Sequence, residues 1–319
     1  MVNVIINKLK VIKSKFNKGT IIKYGFILSM MGYTQVLFWF FYLYTHVDAT
    51  FMAFQSINFS GARAWVGFSN FQIFFKEIFE KNSLIAVSFV NSIKMYLLCF
   101  FISMPLYIFF SYFIFKKIWG SNIIRAIIML PQILSAFIIA LIFKKFLDSA
   151  LPSIMNSLGW ENFPILLEES KYAFGTSIFY MIWLSFAVSL IVYPNAFNSI
   201  DKSIIESAQI DGISGMIQEL RYILLPLIYP TLTTFIVTGF AQIFAISGPL
   251  FEFYMYNAPG SIYNVGYYFT VKTYFASSTG YPILAAGGMV MTILIAPSTW
   301  LIKYILEKYG PSEESRIKK

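Results

Sequence analysis

The chain has 319 residues, of which 58% are hydrophobic, 19% aromatic and only 12% charged, with a mean hydropathy of +0.67. A soluble domain carries about 25% charged residues, so this composition excludes one and indicates an integral membrane protein. The formal charge of +9 does not point to nucleic acid, because the lysines and arginines cluster between apolar runs, where they set orientation in a bilayer.

A hydrocarbon core of about 30 Å needs about 20 apolar residues per helix. Six segments meet this, near 24–45, 88–115, 122–143, 174–195, 223–247 and 281–305. Upstream of the first, residues 8–18 alternate lysines with Leu9, Val11, Ile12 and Phe16, a pattern that fits either a short helix on an anionic inner leaflet or a solvated basic tail. The first apolar run is too long for a signal-peptide core and no small-x-small site follows it, which favours a retained signal anchor. An even number of spans puts both termini on one side. That side collects sixteen lysines and arginines against seven on the other, so both termini are expected in the cytoplasm. The expected organisation is a basic segment 1–23, a six-span domain 24–308 and a cytoplasmic tail 309–319.

Two outer connections carry aromatic stripes. In GFSNFQIFFKEIFEKN, Phe71, Phe74, Phe75, Ile78 and Phe79 recur at helical spacing and predict an amphipathic interfacial helix; residues 262–276 predict a second, aromatic-rich helix. Lys94 lies inside the second span near Asn91, where a lysine either snorkels to the headgroups or meets a solute. Glu252, Asp148, Glu168 and Glu169 fall in outer loops, either solvated or touching a partner.

The connection NSIDKSIIESAQIDGISGMIQELRYILLPLIYP is net acidic on a side where topology favours lysine. Asp201 is placed to cap a short helix ending at Ile210, Gly212 to supply a left-handed stop, and Ser214 to cap a second helix. Ile204, Ile205 and Ala208 would then form an apolar face open to a protein partner. On the fifth span Thr234, Thr238 and Gln242 recur every four residues; on the fourth, Ser177, Ser185 and Ser189 do so loosely, with Tyr180, Met181 and Trp183 beside them. Such stripes either bond neighbouring helices or line a hydrophilic passage.

The chain contains no GxxxxGK[ST] phosphate loop and no HExxH, and its single histidine is His46. Its single cysteine, Cys99, allows no internal disulfide. No acid, base or metal ligands gather as an enzyme would require. A secondary transporter has the same hydropathy, but usually shows coupling-ion carboxylates inside its spans; here the spans hold no carboxylate and, away from their ends, only Lys94 is charged.

Glu206-Ser207-Ala208, then Asp211-Gly212, then Leu225-Pro226 resemble the EAA loop of ABC importer permeases. Trp65-Val66-Gly67-Phe68-Ser69-Asn70-Phe71 is similar to the FVGLxNY segment before the second span in the carbohydrate group, and Arg125-Ala126 followed by Met129-Leu130-Pro131 resembles that group's entry to the third. The likeness runs from about residue 25 to 308. It departs from the pattern at Ser207, where a second alanine is usual, and at Ser247-Gly248-Pro249, a shortened glycine-rich turn.

The resemblance implies an all-α membrane protein with six transmembrane helices of the type I (maltose-type) ABC importer permease fold, both termini cytoplasmic, multi-pass in a bacterial-type cell membrane. It implies a non-catalytic subunit that binds no cofactor. ATP and Mg would sit on two partner ATPase subunits, beside a second related permease, with an extracytoplasmic solute-binding protein delivering a mono-, di- or oligosaccharide; glycerol phosphate or another polyol is the alternative solute. Loop 196–226 would dock on the ATPase, with Ile204, Ile205, Ser207 and Asp211 on the docking surface, Glu206 its polar anchor, Ala208 allowing close approach, Gly212 the turn, and Pro226 ending the second cytoplasmic helix. The fourth and fifth spans flank this loop and would line the path, with Ser177, Tyr180, Ser185, Thr234, Thr238 and Gln242 as candidate contacts.

Overall fold

The computed structural model describes residues 18–81 and 83–311; most of the basic segment 1–23, with its alternating stretch 8–18, and most of the tail 309–319 lie outside them. Helix α1 (Lys18–Leu37) runs through a π-helical turn, Phe38–Leu43, into α2 (Tyr44–Met52), so the first apolar rod extends seven residues beyond its expected end at 45. It is apolar all round, and none of its membrane-length window is buried in the chain. Its end, α2, packs on the bundle, against the last helix.

The bundle core is α4 (Leu84–Phe115) lying along α8 (Ser170–Asn198), followed in chain order by the last helix, α15 (Tyr281–Tyr309). These three match the second, fourth and sixth expected spans and are long and apolar enough to cross a membrane. The third and fifth expected spans are not continuous. The third breaks between α5 (Ser121–Met129), extended by a 3-10 turn to Ile133, and α6 (Ala136–Lys145), with a bend of 104°. The chain turns extended at Leu134 and Ser135, and Ser135 starts α6 afresh by accepting the Ile138 amide at 3.3 Å. Helix α6 passes through a π turn, Phe146–Ala150, into α7 (Leu151–Ser157). The fifth bends by 73° at Ile228. Counting each bent pair as one span gives six.

The connections after the first and fifth spans pack as a cap rather than lying as separate helices. A two-stranded antiparallel hairpin, β1 (Gln55–Ile57) and β2 (Arg63–Trp65), leads into α3 (Ser69–Phe79). The aromatic stripe of α3 divides: Phe71 and Phe74 are buried and Ile78 packs beside them, whereas Phe75 and Phe79 are exposed. Phe74 sits on Gly287 of α15, where a Cβ would stand 2.5 Å from the ring. The expected aromatic helix 262–276 is α14 (Val265–Phe275), and it too is core, with Tyr267 and Tyr268 among the most buried large side chains. Its Gly266 lies against the main chain of Ile246, and a Cβ there would fall 2.4 Å from the carbonyl carbon.

Buried asparagines hold the cap together. Asn70 donates to the carbonyls of Ala53 and Gln55 at 2.9 and 2.8 Å, Asn91 to those of Ser261 and Tyr263 at 2.8 and 2.9 Å, and Asn264 to that of Ser247 at 3.0 Å while accepting the Tyr267 amide at 2.8 Å. Each satisfies backbone groups that irregular segments would otherwise bury unpaired.

Candidate docking loop and solute cavity

Helix α9 (Lys202–Ile210) begins as the sequence predicts. Asp201 accepts the Ser203 amide at 3.0 Å, and that hydrogen bond holds its carboxyl below the ordinary carboxylate value. The helix ends in a Schellman arrangement. The Ile213 amide reaches the Ala208 carbonyl at 3.0 Å, the Gly212 amide reaches Gln209 at 3.2 Å, and Gly212 adopts φ +90°, a conformation that costs other residues energy.

The expected apolar face does not stay together. Ile205 is only 8% exposed and, with Ala208 and Ile213, seats the helix on Tyr112, Phe197 and Leu224 of its own chain. Ala208 is therefore an internal contact. The outward apolar groups are Ile204 (45% exposed) and two residues the sequence reading passed over, Ile210 (87%) and Ile217 (78%). Glu206, Ser207 and Asp211 are also exposed, and the Ser207 hydroxyl is taken up by the Ser203 carbonyl at 2.7 Å.

Ser214 does not cap the second helix, α10 (Met216–Glu219). The cap position is Gly215, with φ +91° and ψ +156°, a region essentially open to glycine alone. Ser214 instead donates its amide to Gln218 Oε1 at 3.0 Å. From α10 the chain passes through a π turn, Leu220–Leu224, into α11 (Leu225–Leu227) and, beyond the bend, α12 (Tyr229–Ala241). Pro226 is the second residue of α11, within a helical rod continuous from Met216 to Leu227, and the direction changes two residues later at Ile228.

Glu219 carries a role that sequence reasoning missed. It is buried, accepts Tyr112 Oη at 2.9 Å, and pairs with Lys116 Nζ at 2.7 Å. The loop is thereby fixed to the C-terminal end of α4. One signal for it was available: Glu219 is the acid of the net-acidic connection that falls inside an apolar run, and Lys116 had been counted only toward orientation.

The candidate path residues separate. Tyr180 and Ser185 share a cavity of about 330 Å³. Ser185 there donates to the Met181 carbonyl at 2.7 Å and contacts Tyr107 Oη, joining α8 to α4. Thr234 and Thr238 line a different cavity of about 520 Å³ beside Tyr229, Lys303 and Glu307, with their hydroxyls bonded to Pro230 and Thr234 carbonyls at 2.9 and 2.7 Å. Ser177 is buried and bonded to the Ala173 carbonyl at 2.8 Å. Gln242 follows the end of α12 as its C-cap and lines neither cavity. Lys94 is exposed.

The described residues thus form a helical bundle with two broken candidate spans and a short helix, α9, between the fourth and fifth. No family profile matches the sequence. Over 140 residues, 41% of the chain, it is 31% identical to the multiple sugar-binding transport system permease protein MsmF of Streptococcus mutans, and this match spans about half, 48%, of that relative. Over 80% of its length it is 23% identical to the probable ABC transporter permease protein YesP of Bacillus subtilis, covering 84% of it. In fold it is similar to a chain of a bacterial ABC transporter involved in the import of the acidic polysaccharide alginate, with a TM-score of 0.74 at 20% identity over 91% of this chain and 98% of that one. The homologues are thus permeases of sugar-type ABC transport systems, and the chain is embedded in a membrane.

Proposed function

We propose that the chain is the transmembrane permease subunit of an ATP-driven importer for a carbohydrate delivered by an extracytoplasmic binding protein, with six spans and both termini in the cytoplasm. It works beside a second, related permease and above two ATPase subunits that hold ATP and Mg. The observation that carries this reading is the docking loop: a capped, Schellman-terminated helix seated by Ile205 and clamped through Glu219. It leaves Ile204, Glu206, Ser207, Ile210, Asp211 and Ile217 facing outward.

An ATPase can shift a permease between inward- and outward-facing states only by binding the two with different affinity. A loop that transmits that difference must keep its own shape, and both ends of α9 are internally bonded. Ile205 and the ion pair carry its displacement to α4 and α8, and the bend at Ile228 passes it to α12. Selection of the solute is shared with the binding protein.

Replacing Gly212 by aspartate tests the reading. The left-handed φ costs a non-glycine residue about 1 kcal/mol, and a Cβ meets nothing within 4 Å, so the chain still folds while a strained, charged side chain enters the docking surface. In proteoliposomes holding all subunits, ATP-driven sugar uptake and solute-stimulated ATP hydrolysis are expected to fall to background. Uptake and stimulation that survive the change would falsify docking through this loop; uptake driven by an ion gradient without the ATPase would replace it with secondary transport.

A further inference from the structure

The 330 Å³ cavity lies between α8, the Ser247-Gly248-Pro249 turn and α13 (Leu250–Tyr254), and its wall includes Cys99, Gln132, Tyr180, Ser185, Gly248 and Glu252. Its volume is at the lower end of the roughly 300–1,000 Å³ typical of small-molecule sites. Two of its polar atoms have no partner among the described residues. Tyr180 is 3% exposed with a buried, unbonded Oη, and Glu252 Oε2 is likewise buried and unbonded. Buried polar atoms are normally paired, and an orphaned pair in one cavity calls for an explanation.

The rest of the wall is already satisfied or apolar. Gln132 gives its amide to the Leu184 carbonyl at 2.8 Å, and Ser185 is engaged as described. No lysine or arginine lines the cavity. The nearby cation Lys144 is turned to the Phe253 carbonyl at 2.9 Å and stands 5.8 Å from the Tyr254 ring. Gly248, at φ +60°, keeps the turn close to Met181, whose Sδ would be 3.4 Å from a Cβ there; this fixes the distance from the turn, and so from Glu252, to α8.

We infer that this cavity is a charge filter that accepts neutral hydroxyl-bearing solutes and turns away carboxylated or phosphorylated ones, with Glu252 and Tyr180 as its recognition pair. A solute hydroxyl donates to the Glu252 carboxylate and accepts from Tyr180 Oη, filling both vacancies with one group, or two neighbouring hydroxyls divide the task. A uronate or phosphate ester brings a negative charge against Glu252 with no cation in the wall to offset it. The inference rests on the import reading above and narrows it: the solute is a neutral sugar or polyol, unlike the acidic polysaccharide carried by the structural relative.

Cys99, the chain's one cysteine, lies in the same wall and reports the filter directly. The full chain, assembled with its companion subunits in nanodiscs, is treated with a cationic (trimethylammonium-ethyl) or an anionic (sulfonatoethyl) methanethiosulfonate, each rate divided by that of the same reagent with free cysteine. The cationic reagent is expected to be favoured about tenfold, the lower end of the enhancement that a cleft of one sign confers, and Glu252→Gln is expected to erase the preference while Tyr180→Phe keeps it. Equal normalised rates in the unaltered protein, a preference that survives Glu252→Gln, or no reaction of Cys99 with either reagent, with or without ATP, each overturn the filter. The unaltered protein's ratio decides the matter even if a variant does not fold. Thiol labelling consumes no ATP, so loss of ATP-driven uptake alone would strike the import reading and leave this ratio standing.

Discussion

The cap around α3 and α14 and the loop around α9 are both irregular connections between spans, and they are held by opposite means. In the cap, Asn70, Asn91 and Asn264 bond backbone carbonyls of distant segments, Ser92 accepts the Val265 amide at 2.9 Å, and glycines 266 and 287 let elements touch with no room for a methyl group. Its bonds run between elements, so none of them can move alone. The loop is satisfied mostly from within, by Asp201, Gly212 and Gln218, and meets the bundle through an apolar seat and the bonds of Glu219 to Lys116 and Tyr112. A unit built in this way keeps its shape while shifting against its neighbours, which is what a force-transmitting element requires. The cap is built as a fixed frame.

This contrast is most strongly tested at the ion pair. Breaking a buried pair by removing one partner costs about 3–5 kcal/mol; Lys116 is 31% exposed, so Lys116→Met is expected to destabilise by about 2 kcal/mol. Adding Glu219→Leu should restore part of it in denaturant-monitored unfolding, because no charge is then stranded although the Tyr112 hydroxyl loses its acceptor. Transport should stay impaired in the double variant, since the apolar replacement no longer fixes the loop's angle to α4. Equal transport in the double variant and the unaltered protein would make the pair a packing feature only.

Gly266→Ala probes the frame and should cost about 1–3 kcal/mol through overpacking against Ile246, read as a lower unfolding temperature. Unlike Lys116→Met, it should leave the ratio of ATP hydrolysed to solute moved unchanged in whatever protein folds. A changed ratio would mean that the cap also takes part in coupling.

The smallest effect is expected at Asp201. Its carboxyl titrates below the ordinary value in the folded chain because the Ser203 amide bonds its charged form, so its contribution to stability is complete above the unfolded value, near pH 4, and is lost as pH falls through the lower folded value. Asp201→Asn, which also caps helices, should remove that acid-side dependence and keep uptake at neutral pH. Persistence of the same dependence in the variant would assign it to another carboxylate.

How much could be read beforehand varies with the range of the interaction involved. The cap at Asp201, the stop at Gly212 and the presence of α4, α8 and α15 are set by neighbours within a few residues, and the sequence showed them, although each of the three helices runs four to seven residues longer than the apolar segment that marks it. The breaks in the third and fifth spans were not legible: their hydropathy is continuous, and Pro131 and Pro226 signal only that a bend is allowed. The split of Ile204 from Ile205, and the inward turn of Ala208, depended on which side of α9 meets Phe197 and Leu224. The threonine row on α12 and the serines on α8 have the spacing of one shared passage, yet the bend at Ile228 sends Thr234 and Thr238 to one cavity while Tyr180 and Ser185 meet Glu252 in another.

From the residues alone came the membrane, the family resemblance and the local grammar of the docking loop, because hydropathy, turn conformation and capping act over short stretches of chain. Which side chains face one another was settled only when the helices packed. The partners that define the clamp, Lys116 and Glu219, and those that define the cavity, Tyr180 and Glu252, lie far apart in sequence, and no periodicity within a single segment records a contact made between two.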